Sequence, residues 1–371
     1  MKATCERDKL LHAFQMAASV APSRSPKPIL QNVKLELSAD AATLMGTDLE
    51  VGIRVDVPGF AVEAPGKVVL PRDRFGKILT ESSDEQLAIE SDGRKVLIRG
   101  QRSEFQLPSE NPDEFPDVIA FEEQKYHEMS ARFFREVVRR TVYATDNESS
   151  RYALGGVLLE LTDKGVTAVA TDGRRLACQE GPAKSVGNHT NGDHMTIIPT
   201  RAMQLIERAL GDNEDNIQLS ARENDVMVHS GRSTIYTRLV EGRFPKWRDV
   251  FPRREGAAKI ELTVGPFYAA VRQAAIVTSD ERRGVDFTFG GGKISLAGHG
   301  AELGEAHIEL PVAYDGAEIG ITLDPRYLSD FLKVLAPEQN FTMELRDADS
   351  AALCLTEDGY AYVLMPLARD R

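Results

Sequence analysis

The stretches "VATDGRRLAC", Val169 to Cys178, and "LMGTDLEVGI", Leu44 to Ile53, decide the fold once they are set side by side. Each places a Thr-Asp pair after a short apolar run, and about 125 residues separate the two pairs. Read alone, Thr171 to Leu176 is a turn: Asp-Gly following an apolar, β-prone run is a hairpin signal. Read as a pair, the stretches predict an internal repeat, which has to be traced before any chemistry is assigned to Asp48 or Asp172.

Three segments carry the same order of elements. A first helix is expected near Arg7 ("RDKLLHAFQMAASV"), Ala131 ("ARFFREVVRRTVYA") and Gly265 ("GPFYAAVRQAAIV"). Strand-like text follows each, then the turn region "GTDLE", "ATDGRR" or "AGHGAE". A second helix is expected behind Pro71, Pro199 and Pro325, spaced 128 and 126 residues apart. Proline suits a first helical turn, where its missing N–H has no partner to lose. Short polar loops then lead into alternating strands such as "LAIESDGRKVLIRG", whose period of two reads as half-buried antiparallel sheet. Charged, aperiodic linkers fall at "FEEQKYHE" (121–128) and "PRREGAAK" (252–259). The expected domains are 1–121, 128–252 and 258–371, of α+β class.

Composition removes several function classes. The 371 residues are 42% apolar, yet no apolar run reaches the roughly 20 residues that span a bilayer. Charges interrupt the N-terminal "MKATCERDKLLHAF", so a secretory signal is not expected. Three scattered cysteines, Cys5, Cys178 and Cys354, fit a reducing cytoplasm. His189 and His194 lie in "SVGNHTNGDH" without zinc-ligand spacing, so no metal is expected.

A net charge of −12 argues against a broad nucleic-acid-gripping surface, but the signs are segregated. In "ARFFREVVRRTVYA", Arg132, Arg135 and Arg139 fall within an arc of roughly 60° at 100° per residue. Counting Arg140, four arginines face the single acid Glu136. Further basic residues recur after the first helices (Arg24, Lys27, Arg151, Arg282, Arg283) and in the second helices (Arg72, Arg74, Lys77, Arg201, Arg208, Arg326, Lys333). Helices lining one side and sheets the other would present a basic lining to a polyanion. Phosphate contacts of that kind position a nucleic acid without reading its sequence.

The opening "ERDKLLHAFQ…R…PIL…GTDLE", the central "RYALGGVLLE…VATDGRRLA", "LVEGRFPKW" and the terminal "YVLMPL" together resemble the bacterial DNA polymerase III beta subunit family, the replicative sliding clamps. The resemblance runs from end to end, in order. It implies three clamp domains of one fold per chain and a head-to-tail homodimer. The resulting ring has helices around a central hole and antiparallel sheets outside, and encircles double-stranded DNA without sequence preference. It further implies a cytoplasmic processivity factor with no catalytic residue and no cofactor. Its partners would be a clamp loader, the replicative polymerase alpha subunit and other proteins carrying a clamp-binding motif.

Carried over by position, the implied DNA-facing residues are Arg24, Arg72, Arg74, Arg151, Tyr152 and Arg282, which join Arg132, Arg135 and Arg139. The implied partner-peptide pocket comprises Leu154, Thr171, Gly173, Arg174, Arg175, Leu176, Pro245, Val250, Val363, Met365, Pro366 and Leu367. Apolar members would anchor the peptide, while Thr171, Gly173 and Arg175 would form a polar mouth. The implied dimer contact joins Arg74, Ile78 and Leu107 to Ile276 and Val277 of a second copy. Three features depart from the family pattern. Ala153 replaces an aromatic residue found in some relatives, Arg174 stands where histidine is frequent, and the tail "MPLARDR" is longer and more charged. Two rival classes remain open. A hydrolase using Asp48 and Asp172 would need carboxylates that the repeat places in separate domains. A scaffold that binds no DNA would not need the basic helix face.

Overall fold

The computed structural model describes residues 1–149, 152–192, 194–210, 216–300 and 303–367. Its helices are α1 (Arg7–Val20), α2 (Arg72–Glu81), α3 (Ala131–Thr141), α4 (Thr200–Ala209), α5 (Val264–Ala274) and α6 (Pro325–Leu332). They fall as three pairs at the expected places among short strands. In α1 the buried residues Leu10, Ala13, Phe14, Ala17 and Val20 make one apolar stripe. Phe14 meets Phe75 of α2 with ring centroids 5.0 Å apart.

One packing device repeats between the first and third segments. Gly46 lies so close under α1 that an added Cβ would stand 2.2 Å from the Ala17 carbonyl oxygen. Gly298 lies under α5 in the same way, 2.6 Å from the Ala274 oxygen. Only glycine lets helix backbone and strand approach this closely.

The prolines act one position earlier than expected in two of three cases. Pro71 and Pro199 end the strands Gly66–Pro71 and Thr196–Pro199 and cap the helices that follow. Pro325 is the first helical residue, behind Asp324, whose Oδ1 accepts the Arg326 N–H at 2.9 Å. A side-chain cap therefore serves only α6 of these three.

The backbone divides into two compact units that cut across the repeats. The first comprises Met1–Phe134, Thr162–Lys164 and Ala183–Leu239. It holds a nine-stranded sheet in which Ser233–Arg238, late in the middle repeat, pairs antiparallel with Val51–Asp56 of the first repeat. A five-stranded sheet ends on Glu104–Pro108. The second unit comprises Arg135–Leu161, Gly165–Pro182 and Val240–Arg371. In its larger sheet, Arg175–Gly181 of the middle repeat pairs antiparallel with Tyr360–Leu364 of the last. The smaller sheet runs Gly304–Pro311, Lys293–Gly300, Val285–Gly290, Ile319–Leu323. Backbone ladders thus join neighbouring repeats, and the middle repeat lends strands to both units. Among the described residues no helix is long and apolar enough to cross a membrane.

Candidate functional site

The turn of the opening stretch is locked by its own side chains. Thr171 Oγ1 donates to the Arg175 carbonyl at 2.6 Å and accepts the Gly173 N–H at 3.0 Å. Asp172 Oδ1 accepts the N–H groups of Arg174 (2.9 Å) and Arg175 (3.0 Å). Gly173 takes φ +85°, a left-handed conformation that a residue without Cβ adopts freely. Asp172 is consumed by this turn, in the manner of Asp side chains that bond their own downstream backbone.

The two arginines of the turn have opposite fates. Arg175 donates through Nε to Asp172 Oδ2 (3.0 Å), through Nη1 to Asp330 Oδ2 (2.6 Å) and through Nη2 to the Tyr143 carbonyl (2.7 Å). Its guanidinium also lies against the rings of Tyr143 and Tyr327, at 5.2 and 4.5 Å from their centroids. Burial alone would lower its pKa, but Tyr362, Asp330 and Asp172 reverse that and hold it charged. With 9% of its side chain exposed, Arg175 is a support under the turn rather than part of an open mouth. Arg174 is exposed and reaches Tyr327 Oη through Nη1 at 3.4 Å. Its carbonyl accepts the Met365 N–H at 3.0 Å, fixing that side chain's backbone beside it.

Register brings further pocket candidates together. Leu176 opposes Thr171 on one side and Val363 on the other. Both Leu176 and Val363 are completely buried, and Leu154 nearly so, which makes them floor and core rather than accessible anchors. The accessible apolar members are Met365, 43% exposed, and Val250, 40% exposed. Val250 ends a short 3-10 turn, Trp247–Val250, held down by Glu160. That carboxylate accepts the Trp247 indole N–H (3.0 Å) and both Arg248 Nη groups (3.0 and 2.6 Å). Leu154 and the segment before the half-buried Pro245 are tied by the Ala153 N–H to the Arg243 carbonyl at 3.2 Å. Half-buried Pro366 and Leu367 continue the tail, where the Leu367 N–H bonds the Thr322 carbonyl at 2.9 Å.

The arginines of α3 differ in exposure. Arg132 and Arg139 are exposed and Arg135 is half-buried. Arg140 does not belong with them. It is buried, donating to Gln179 Oε1 (2.7 Å) and Asp358 Oδ2 (2.8 Å) beside the Tyr360 ring. One residue step turns a helix by 100°, enough to carry Arg140 from the face to the core. Arg24, Arg74 and Arg282 are exposed, and Tyr152 is half-buried. Arg72 gives Nη1 to the Ala21 carbonyl at 2.9 Å, as Arg201 gives Nη2 to the Val20 carbonyl at 3.2 Å. These arginines stitch α2 and α4 to the exit of α1. Arg151 lies outside the described residues, as does the tail 368–371.

The dimer candidates divide similarly. Ile276 is 74% exposed and Arg74 is exposed, while Ile78 is half-buried. Leu107 and Val277 are instead buried within their own units, with Val277 packed against Gly298 and Gly300. Sequence reasoning missed Phe105, an exposed aromatic beside Ile78 in a cavity of about 570 Å³. It also missed Tyr143, Tyr327 and Asp330, the partners of Arg175. Phe105 alternates with Leu107 along one strand, which is the signal that could have found it.

Family models for the DNA polymerase III beta subunit match the chain three times. The N-terminal domain matches residues 1–119, the central domain 128–246 and the C-terminal domain 248–368. The chain belongs to the DNA polymerase III beta subunit family. A Pseudomonas putida protein named Beta sliding clamp is 30% identical over 373 residues, 99% of this chain and 100% of its own length. The Escherichia coli K12 protein of the same name is 28% identical over the same shares. The solved DNA polymerase III subunit beta of Pseudomonas aeruginosa superposes with a TM-score of 0.91 at 27% identity over all of both chains. Members of this family are DNA sliding clamps of replication, processivity factors and not enzymes. Among the described residues no cluster of His, Cys, Asp or Glu is arranged to hold a metal ion. Burial pushes the thiols of Cys5 and Cys178 up to about 12, so neither is poised as a nucleophile.

Proposed function

We propose that two copies of this chain close head to tail into a cytoplasmic ring around duplex DNA and tether the replicative polymerase to it. Three domains per copy, bounded at 1–121, 128–252 and 258–371, would supply six domains with helices inward and sheets outward. Arg24, Arg72, Arg74, Arg132, Arg135, Arg139, Arg151, Tyr152 and Arg282 would face the phosphates. Arg74, Ile78 and Ile276, with Phe105 beside Ile78, would meet at the junction of the copies, where Leu107 and Val277 support the contact from within. The observation that carries the reading is the succession of three domains of one family over nearly the whole chain.

The pocket reading adds how partners are held. Met365 and Val250 would be the accessible anchors, with Leu154, Leu176 and Val363 beneath them, Pro245, Pro366 and Leu367 alongside, and the turn Thr171–Arg175 as the rim. An apolar patch bordered by fixed polar groups suits a short extended peptide, the apolar part supplying energy and the polar part register. The unbranched Met365 adapts to several partners, among them the polymerase alpha subunit, the clamp loader and other carriers of a clamp-binding motif. Retention after loading tests the function. The ring should stay on closed circular DNA and slide from the same DNA once linearised. Equal retention on both forms would point to ordinary contact binding instead. Light scattering should give about twice 40.9 kDa.

A further inference from the structure

Two buried histidines that the clamp function does not use face each other in the first unit. His127, in the strand Tyr126–Ser130, and His189 approach Nδ1 to Nδ1 at 2.7 Å. The outer nitrogens are also engaged. His127 Nε2 lies 2.8 Å from the Thr162 carbonyl oxygen. His189 Nε2 lies 3.1 Å from both the backbone N and the carbonyl O of Ala221. Four separate stretches of chain meet at this pair.

Elimination fixes the protons. A carbonyl oxygen cannot donate, so His127 Nε2 must carry a hydrogen for Thr162. A neutral His127 then has a bare Nδ1, which accepts from His189 Nδ1–H. That leaves His189 Nε2 bare, and it accepts the Ala221 N–H. The neutral pair is a one-way relay with every ring nitrogen satisfied, as buried polar groups require. A first proton has one place to go. On His189 Nε2 it would turn that nitrogen from acceptor to donor, from the Ala221 N–H to the Ala221 carbonyl beside it. A second proton, on His127 Nδ1, would set two N–H groups head to head.

We propose that His127 and His189 are a proton-gated clasp, closed when neutral, shifted by one proton on His189 and opened by a second. The clasp pins the segment around His189, where Ser185 Oγ also donates to the His189 carbonyl at 2.8 Å. Charged neighbours come from each surrounding stretch. Glu123 and Lys125 lie on the linker before His127, and Arg222 follows Ala221, pairing with Glu123 (3.3 Å) and Asp225 (2.5 Å). Asp163 and Lys164 follow Thr162 and are exposed, as is His194. Burial lowers the pKa of His189; the Ala221 backbone opposes this, His127 and Lys125 push it further down, and Glu123 pushes it up. The folded His189 therefore refuses a proton that an unfolded imidazole accepts near pH 6.5. Its stabilisation is complete above that pH and is lost as pH falls toward the folded value.

Nitrogen-15 imidazole spectra of the whole chain, labelled at histidine, test the relay without a variant. At about pH 7.5 His127 should be the Nε2–H tautomer and His189 the Nδ1–H tautomer. On acidification His189 should take up the first proton, below pH 6.5. Reversed tautomers, or two rings titrating independently near 6.5, would overturn the proposal. Hydrogen exchange supplies the second arm. Corrected for chemical rate, exchange in residues 126–130 and 185–192 should accelerate about ten-fold or more between neutral and mildly acid pH. The double variant His127→Gln/His189→Gln should lose that acceleration. Its persistence in a folded double variant would remove the clasp, and if the variant does not fold the spectra decide alone.

Discussion

The turns at 47–51 and 171–175 share one backbone and diverge in what they display. In the first, Thr47 Oγ1 donates to the Val51 carbonyl, and Asp48 Oδ1 accepts the N–H groups of Glu50 and Val51. Leu49 takes φ +79°, close to the +85° of Gly173. The strand after each turn pairs with the last strand of the following repeat. The match extends one step further. The Arg238 N–H bonds the Glu50 carbonyl at 3.0 Å, as the Met365 N–H bonds that of Arg174. Yet Glu50 and Arg238 carry opposite charges whose side chains approach to 3.9 Å, whereas Arg174 stands beside an exposed methionine. One turn displays an exposed pair of opposite charges and its twin an exposed apolar side chain. In a repeated fold a few side chains placed on shared backbone decide what each turn displays.

Three sets of variants sharpen this contrast. The largest effect belongs to Arg175, which stands where the first turn has Val51. Arg175→Ala should cost roughly 1.5–3 kcal/mol of stability, because the half-buried Asp172 and the Tyr143 carbonyl lose a charged donor, while Asp330 keeps Lys333. Thermal or urea unfolding reads this directly, and a loss under about 1 kcal/mol would mean the guanidinium is not a support. Next come the left-handed positions. Gly173→Leu should cost about 1–2 kcal/mol, the penalty of a side chain in that conformation. Leu49→Gly should change stability little, since relieved strain is offset by the added chain entropy of glycine, about 0.5–1 kcal/mol. A destabilisation of similar size from both substitutions would show that the backbones differ. Smallest is Glu50→Gln, worth at most about 1 kcal/mol for an exposed pair and screened further by salt.

The repeat was legible because helices, prolines and turns recur within the chain's own sequence. The ladders that join repeats were not. Val51–Val55 meets Ser233–Thr237 across some 180 residues, and nothing local records that pairing. Arg140 shows the same limit within one helix. Its charge placed it with Arg139, while its partners Gln179 and Asp358 lie 39 and 218 residues away. The proposed pocket was legible only as a set of positions. Burial, set by register, separates Met365 and Val250 from the floor residues Leu176 and Val363. The clasp was invisible for a similar reason, since 62 residues separate His127 from His189.

The central claim is that partners bind at the Arg174–Met365 turn and not at its twin. Fluorescence polarisation with a labelled polymerase-tail peptide rich in Gln, Leu and Phe tests it most directly. Met365→Ala with Val250→Ala should weaken binding by on the order of 1–3 kcal/mol per anchor while leaving the dimer intact. Glu50→Ala with Arg238→Ala should leave the affinity where it was. Unchanged affinity in the first folded double variant, or a comparable loss in the second, would contradict the account.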